Sequence, residues 1–134
     1  PSCARAGAFW LQSGSCTLSQ NGGCFESPNY PNNYGNNMNC AINITKGAYL
    51  VAFDFNVGYD DELRLHYFYS DGYSNSWYET YSGTYGPRGH WVGRSPSGYR
   101  QITWSSDENQ TRSGFKICAI EEGADEDEIR PLSP

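Results

Sequence analysis

Methionine occurs once in this chain of 134 residues, and charged residues make up only 18% of it. Long-chain helix formers are sparse outside the last fourteen residues, which excludes a helical bundle. No apolar run approaches the ~20 residues that a helix needs to cross a bilayer, so membrane insertion is not expected. No Cys-x-x-Cys pair and no histidine cluster beside a cysteine is present, which argues against zinc and thiol-redox chemistry. The two histidines, His66 and His90, lie outside any His-Glu-x-x-His setting, and no Gly-x-Ser-x-Gly elbow or phosphate-binding glycine spacing occurs. Both read as ordinary strand or surface residues, and the chain is not expected to be an enzyme. Basic excess is missing too. The net charge is −6, and six of the fifteen acids crowd into Glu121, Glu122, Asp125, Glu126, Asp127 and Glu128. Residues 1–120 hold nine acids against eight bases, so the body offers no footprint for nucleic acid or anionic lipid.

What is abundant points the other way. There are 15 glycines, 11 tyrosines and 4 tryptophans. Turn residues fill 27–39, and period-two alternation follows. Cys40, Ile42 and Ile44 alternate with Ala41, Asn43 and Thr45. Tyr49, Val51, Phe53, Phe55 and Val57 alternate with Leu50, Ala52, Asp54 and Asn56. Leu63, Leu65, Tyr67 and Tyr69 do the same, as do Ile102 with Trp104 and Phe115 with Ile117 and Ala119. This pattern predicts an all-β, antiparallel β-sandwich. Three segments are expected: a lead-in arm over 1–15 around Phe9-Trp10-Leu11, the sandwich over 16–120, and a flexible acidic tail or linker over 121–134.

Five cysteines, Cys3, Cys16, Cys24, Cys40 and Cys118, suit a disulfide framework in an oxidising compartment, with one thiol left over. Two glycosylation sequons, at Asn43 and Asn109, add to the expectation of a secreted or cell-surface chain, and alternation places Asn43 on an outer face. No signal peptide is visible, so the chain is expected to begin after processing or truncation.

The segment Ser27-Pro28-Asn29-Tyr30-Pro31, then Tyr34, then Cys40-x-Ile42-x-Ile44, resembles the opening of a CUB domain. Phe53-Asp54-Phe55 with Asp61-x-Leu63-x-Leu65 resembles its middle strands. Tyr81-Ser82-Gly83 resembles the next turn, and Ile102-x-Trp104-x-Ser106-Asp107 with Gly114-Phe115 its close. The likeness spans roughly 16–120, and the ending Gly-Phe-Lys-Ile-Cys resembles the protist-type variant. It implies a jelly-roll sandwich and a non-catalytic extracellular module for recognition and assembly. It also implies pairing of Cys16 with Cys40, leaving Cys24 for Cys118 and Cys3 for another subunit or a free thiol; a Cys3–Cys16 pair is the competing scheme. The family's mid-domain disulfide has no cysteines here.

Many relatives of that type bind calcium at one end, and the corresponding positions here read Asn56, Asp61 and Asp107, with Asp60 near enough to compensate for Asn in place of Glu. Calcium is thus the one cofactor the resemblance brings. The aromatics exceed what one core can hold, so Phe9, Trp10, Tyr73, Trp77, Tyr78, Tyr85 and Trp91 are the candidate interface. The expected function is recognition of a protein or glycan. The alternative is a structural glycoprotein that binds copies of itself through the arm and a Cys3 link, building a filament or sheath.

Overall fold

In the computed structural model, residues 4–68, 77–93 and 98–121 are described. Cys3, Tyr73 and the acidic tail from Glu122 lie outside them. The chain forms ten strands: β1 (Phe9–Gly14), β2 (Thr17–Ser19), β3 (Cys24–Glu26), β4 (Asn39–Ile44), β5 (Ala48–Asn56), β6 (Glu62–Phe68), β7 (Trp77–Tyr81), β8 (Arg88–Val92), β9 (Gly98–Ser105) and β10 (Gly114–Ile120). They make two antiparallel five-stranded sheets, ordered β1-β4-β9-β6-β7 and β2-β3-β10-β5-β8. This is the sandwich that the alternation predicts.

Each strand gives one face to the layer between the sheets. Leu11, Ile42, Ile102 and Leu65 sit opposite one another across the first sheet. Phe25, Ile117 and Ala52 do so across the second. An aromatic ladder joins the layers. Phe9 meets Phe25 edge-on at 4.9 Å, Phe25 meets Phe115 at 5.7 Å, and Trp104 meets Phe115 at 5.1 Å and Tyr34 at 5.0 Å. Each fully buried large side chain in this layer contributes roughly 1.5–3 kcal/mol relative to an exposed one.

The alternation in β5 is interrupted. Lys116 pairs with Asp54 but Ile117 with Ala52, so Phe53 is an extra residue in the ladder. Ahead of this bulge Ala48, Leu50 and Ala52 face the core, and beyond it Phe55 does. Tyr49, Val51 and Phe53 go to the other face, where Cys24, Cys118 and Ile120 form a second apolar cluster with Ala4. At the head of β10, Gly114 has a φ of +90°, and a Cβ there would come within 1.8 Å of Ser27 Oγ, which accepts the Phe115 N–H. Only glycine fits that position.

Within the lead-in over 1–15, the described residues pack on the body. Residues 9–14 are β1, paired along β4, and Phe9 is buried in the core. Its alternation of Phe9 and Leu11 inward with Trp10 outward is a strand signal cut short by a bulge after Leu11. The edge of the sandwich therefore lies before Phe9, and Ala4 and Arg5 run beside the end of β10, where the Arg5 N–H donates to the Ala119 carbonyl at 2.7 Å.

Two disulfides are present, Cys16–Cys40 and Cys24–Cys118. Cys24 and Cys118 are directly opposite on β3 and β10. Both are fully buried, under the apolar cluster that Ala4 helps to close.

Candidate functional site

Four loops meet at one end of the sandwich: 27–38, 57–61, 82–87 and 106–113. Their backbones tie them together. The Tyr34 N–H donates to the Arg112 carbonyl, the Asn37 N–H to Asp107, the Val57 N–H to Gly83 and the Ser106 N–H to Met38, at 2.8 to 3.1 Å.

Asp61 is the centre of this end. It is 1% exposed. A buried carboxylate needs donors, and Asp61 has two: Oδ2 accepts the Tyr34 hydroxyl, and Oδ1 accepts the Asp107 N–H at 2.9 Å. The Tyr34 oxygen in turn accepts the Gly58 N–H at 2.8 Å. Burial, and then the bond to Asp61, raises the Tyr34 pKa far above its ordinary value. The phenol therefore stays protonated and donating. Asp107 Oδ1 accepts the Asn109 N–H at 2.9 Å, which closes the turn around the second sequon.

Above this frame lies a cleft of about 470 Å³ lined by Tyr59, Asp60, Asp61, Asp107, Asn109 and Gln110. Tyr59 is 73% exposed. Its ring lies against Gly83, where a Cβ would come within 3.0 Å of it and φ is +65°. Arg112 stands 5.6 Å from the centre of that ring, and Arg88 4.5 Å from the centre of the exposed Tyr85.

Of the three calcium positions that the CUB resemblance implies, the structure brings two together. Asp61 and Asp107 meet, and Asp60 lines the same cleft. Asn56 ends β5 opposite Gly114, and its amide donates to Ser113 at 3.0 Å. Among the described residues, no three carboxylate, histidine or cysteine side chains come together to hold a metal.

The candidate interface residues do not form one patch. Phe9 is 4% exposed and belongs to the core, a correction to its expected role. Trp10 and Tyr78 are exposed on the outer face of the first sheet, while Trp91 is on the outer face of the second, against Tyr49. Trp77 stacks on Tyr67 at the opposite end of the sandwich, and Tyr85 lies at the Asp61 end. The His90 Nε2 meets the Glu79 carboxylate and so bridges β8 and β7, the edges of the two sheets. Tyr99 packs on the His90 ring at 4.7 Å. Burial, and then the charge of Glu79, pushes the Tyr99 pKa up to about 12.

Sequence reasoning passed over Tyr59 and Arg112. The only signal for Tyr59 was an aromatic residue inside a Gly58-Tyr59-Asp60-Asp61 turn, where a buried role is sterically awkward.

A two-sheet antiparallel sandwich with two disulfides and its loops gathered at one end is the build of an extracellular binding module. The family model for the CUB domain matches residues 14–118, most of the chain. The chain belongs to the CUB domain family. CUB domains are extracellular, mediate protein interactions and are generally non-catalytic, and the two disulfides fit a secreted protein. Among the described residues no helix is long and apolar enough to cross a membrane. Neither a curated protein nor a solved structure matches the chain.

Proposed function

We propose that this domain is a recognition module that docks a basic side chain of a protein partner at the loop end of the sandwich. The observation that carries this reading is Tyr59, a largely exposed aromatic ring beside Asp60 and Asp107 in the cleft. Exposed tyrosine gives contact area at low entropic cost. A lysine or arginine stem would lie on its ring while the charged head met the carboxylates. Acids outnumber bases at this end: Asp60, Asp61, Asp107 and Glu108 against Arg88 and Arg112. The Tyr34–Asp61–Asp107 bonds beneath the cleft fix its shape before binding, which lowers the cost of association.

The test is a nuclear magnetic resonance titration of the isotope-labelled domain with an arginine- and lysine-containing peptide, and separately with an uncharged oligosaccharide. Peptide-induced shifts confined to 57–61 and 106–113, weakened in high salt and at least tenfold weaker in Asp60→Asn with Tyr59→Ala, are expected. Shifts produced only by the oligosaccharide, or peptide binding equal in the variant, would refute the reading.

The filament alternative draws on the lead-in arm, on Cys3 and on the surplus aromatics. Phe9 and Leu11 are committed to the domain's own sandwich, so self-association would have to rest on Cys3, outside the described residues, or on the scattered exposed aromatics.

A further inference from the structure

The outer face of the first sheet carries one continuous row of side chains. Trp10 lies opposite Asn43, Asn43 opposite Gln101, Gln101 opposite His66 and His66 opposite Tyr78. Asn43 opens the sequon Asn43-Ile44-Thr45. Within the row its side-chain amide makes no hydrogen bond among the described residues, while its neighbours are engaged: Gln101 donates to Gln12 at 2.9 Å, and His66 bonds Thr103 at 2.8 Å. Beside Asn43 is a groove of about 340 Å³ walled by Trp10, Phe68, Arg100 and Gln101. The Trp10 indole is 58% exposed, although it stands on a strand whose other apolar side chains pack inward.

We propose that Asn43 carries an N-linked glycan and that its first sugar lies on the Trp10 indole and fills this groove. Directly opposed residues on antiparallel strands have Cβ atoms about 4.5–5.5 Å apart. A sugar joined to Asn43 Nδ2 therefore starts within van der Waals reach of the indole, and the C–H face of a pyranose packs against such a ring. The tryptophan becomes covered without a second protein, and the polar edge of the sugar meets Gln101 and Arg100.

The transfer needs an oligosaccharide activated as a lipid diphosphate. Its C1–O bond to phosphate breaks, the C1–Nδ2 bond forms, the amide loses one proton, and the lipid diphosphate leaves. In the folded domain the strand holding Asn43 is paired on both sides, and the Thr45 hydroxyl is bonded to the Gly7 and Ala8 carbonyls. The sequon is closed to an enzyme that must grip its backbone, so transfer precedes the pairing of β1 with β4.

The experiment uses the full chain secreted from a eukaryotic host. Glycopeptide mapping reads Asn43, and thermal midpoints are compared for three forms: native glycan, glycan trimmed to one sugar, and Asn43→Gln. Each is made in backgrounds with Trp10, Trp10→Tyr and Trp10→Ala. Sugar is expected on Asn43. The native and trimmed forms should melt together, about 2–5 °C above Asn43→Gln, given the usual worth of a ring-stacking contact. The gap should survive in Trp10→Tyr and vanish in Trp10→Ala. An unmodified Asn43 in the secreted protein, no gap with Trp10, or an equal gap in Trp10→Ala overturns the proposal.

Discussion

Replacing Asp61 tests whether the loop end is organised around one carboxylate. Asp61→Ala removes the acceptor for two donors, the Tyr34 hydroxyl and the Asp107 N–H. Hydrogen bonds to a charged group contribute about 1.5–3 kcal/mol each, and a buried donor left bare keeps its desolvation cost. The expected loss is about 4 kcal/mol, which for a domain of this size lowers the thermal midpoint by roughly 15 °C. Asp61→Asn retains the shape. Its oxygen takes the Asp107 N–H, but its amide then faces Tyr34, whose proton has no acceptor, so the loss should be nearer 2 kcal/mol. Tyr34→Phe leaves Asp61 Oδ2 and the Gly58 N–H without their partner, for about 2–3 kcal/mol. The decisive measurement is the double variant by denaturant titration. Because Tyr34 and Asp61 share one bond, the double loss should fall short of the sum by at least 1 kcal/mol. Additivity within 0.5 kcal/mol, or a loss below 1 kcal/mol for Asp61→Ala, would show that the bond does not organise this end.

The two disulfides should differ in worth: Cys24→Ser with Cys118→Ser opens a loop of 94 residues in sequence separation and should cost about 4.7 kcal/mol in the chain-entropy picture, against about 3.5 kcal/mol for Cys16→Ser with Cys40→Ser, read from urea midpoints. His66 should make the domain sensitive to mild acid. Burial, and then the nearby Arg64 charge, lowers its pKa below the ordinary 6.5; the unfolded chain thus takes up the proton first, and the His66 contribution, full above pH 6.5, is lost as pH falls through the lowered value. His66→Gln should flatten the decline in urea midpoint between pH 7.5 and 5, and an unchanged slope would remove this assignment.

The parts of the fold that were legible are those with four or more alternating residues. β4, β5, β6, β9 and β10 all announce themselves by period two. β2 and β3 have three residues each, too short for any period, and take their place by pairing with their neighbours. β7 reads Trp-Tyr-Glu-Thr-Tyr, whose aromatics look like surface because both faces carry them; its inner face at Glu79 closes on His90 rather than on an apolar layer. β1 lies within the lead-in and was not read as a strand, because its bulge follows only three residues of alternation. At the site, Asp61 and Asp107 were legible through the CUB resemblance; they lie just before β6 and just after β9, which are neighbours in the sheet. The direction of the Asn56 amide was not, because it depends on Ser113 being opposite the end of β5. Of the aromatics named from the sequence, Trp10, Trp77, Tyr78, Tyr85 and Trp91 are exposed; Tyr59 was not named, since its exposure follows from three-dimensional neighbours such as Gly83 under its ring.

Ala4 bridges to Ile120, so the two ends of the sandwich lie side by side, and Cys24–Cys118 fastens the chain a short way inside that point. Tension applied to the two ends reaches this covalent clasp after unravelling only the stretch before Cys24 and the few residues after Cys118. The extension that can be drawn out is roughly 80 Å, against roughly 320 Å without the clasp and with Cys16–Cys40 still closed. Mechanically the domain is a bead with a safety stop, and strands β4 to β9 are shielded from any load carried along the chain.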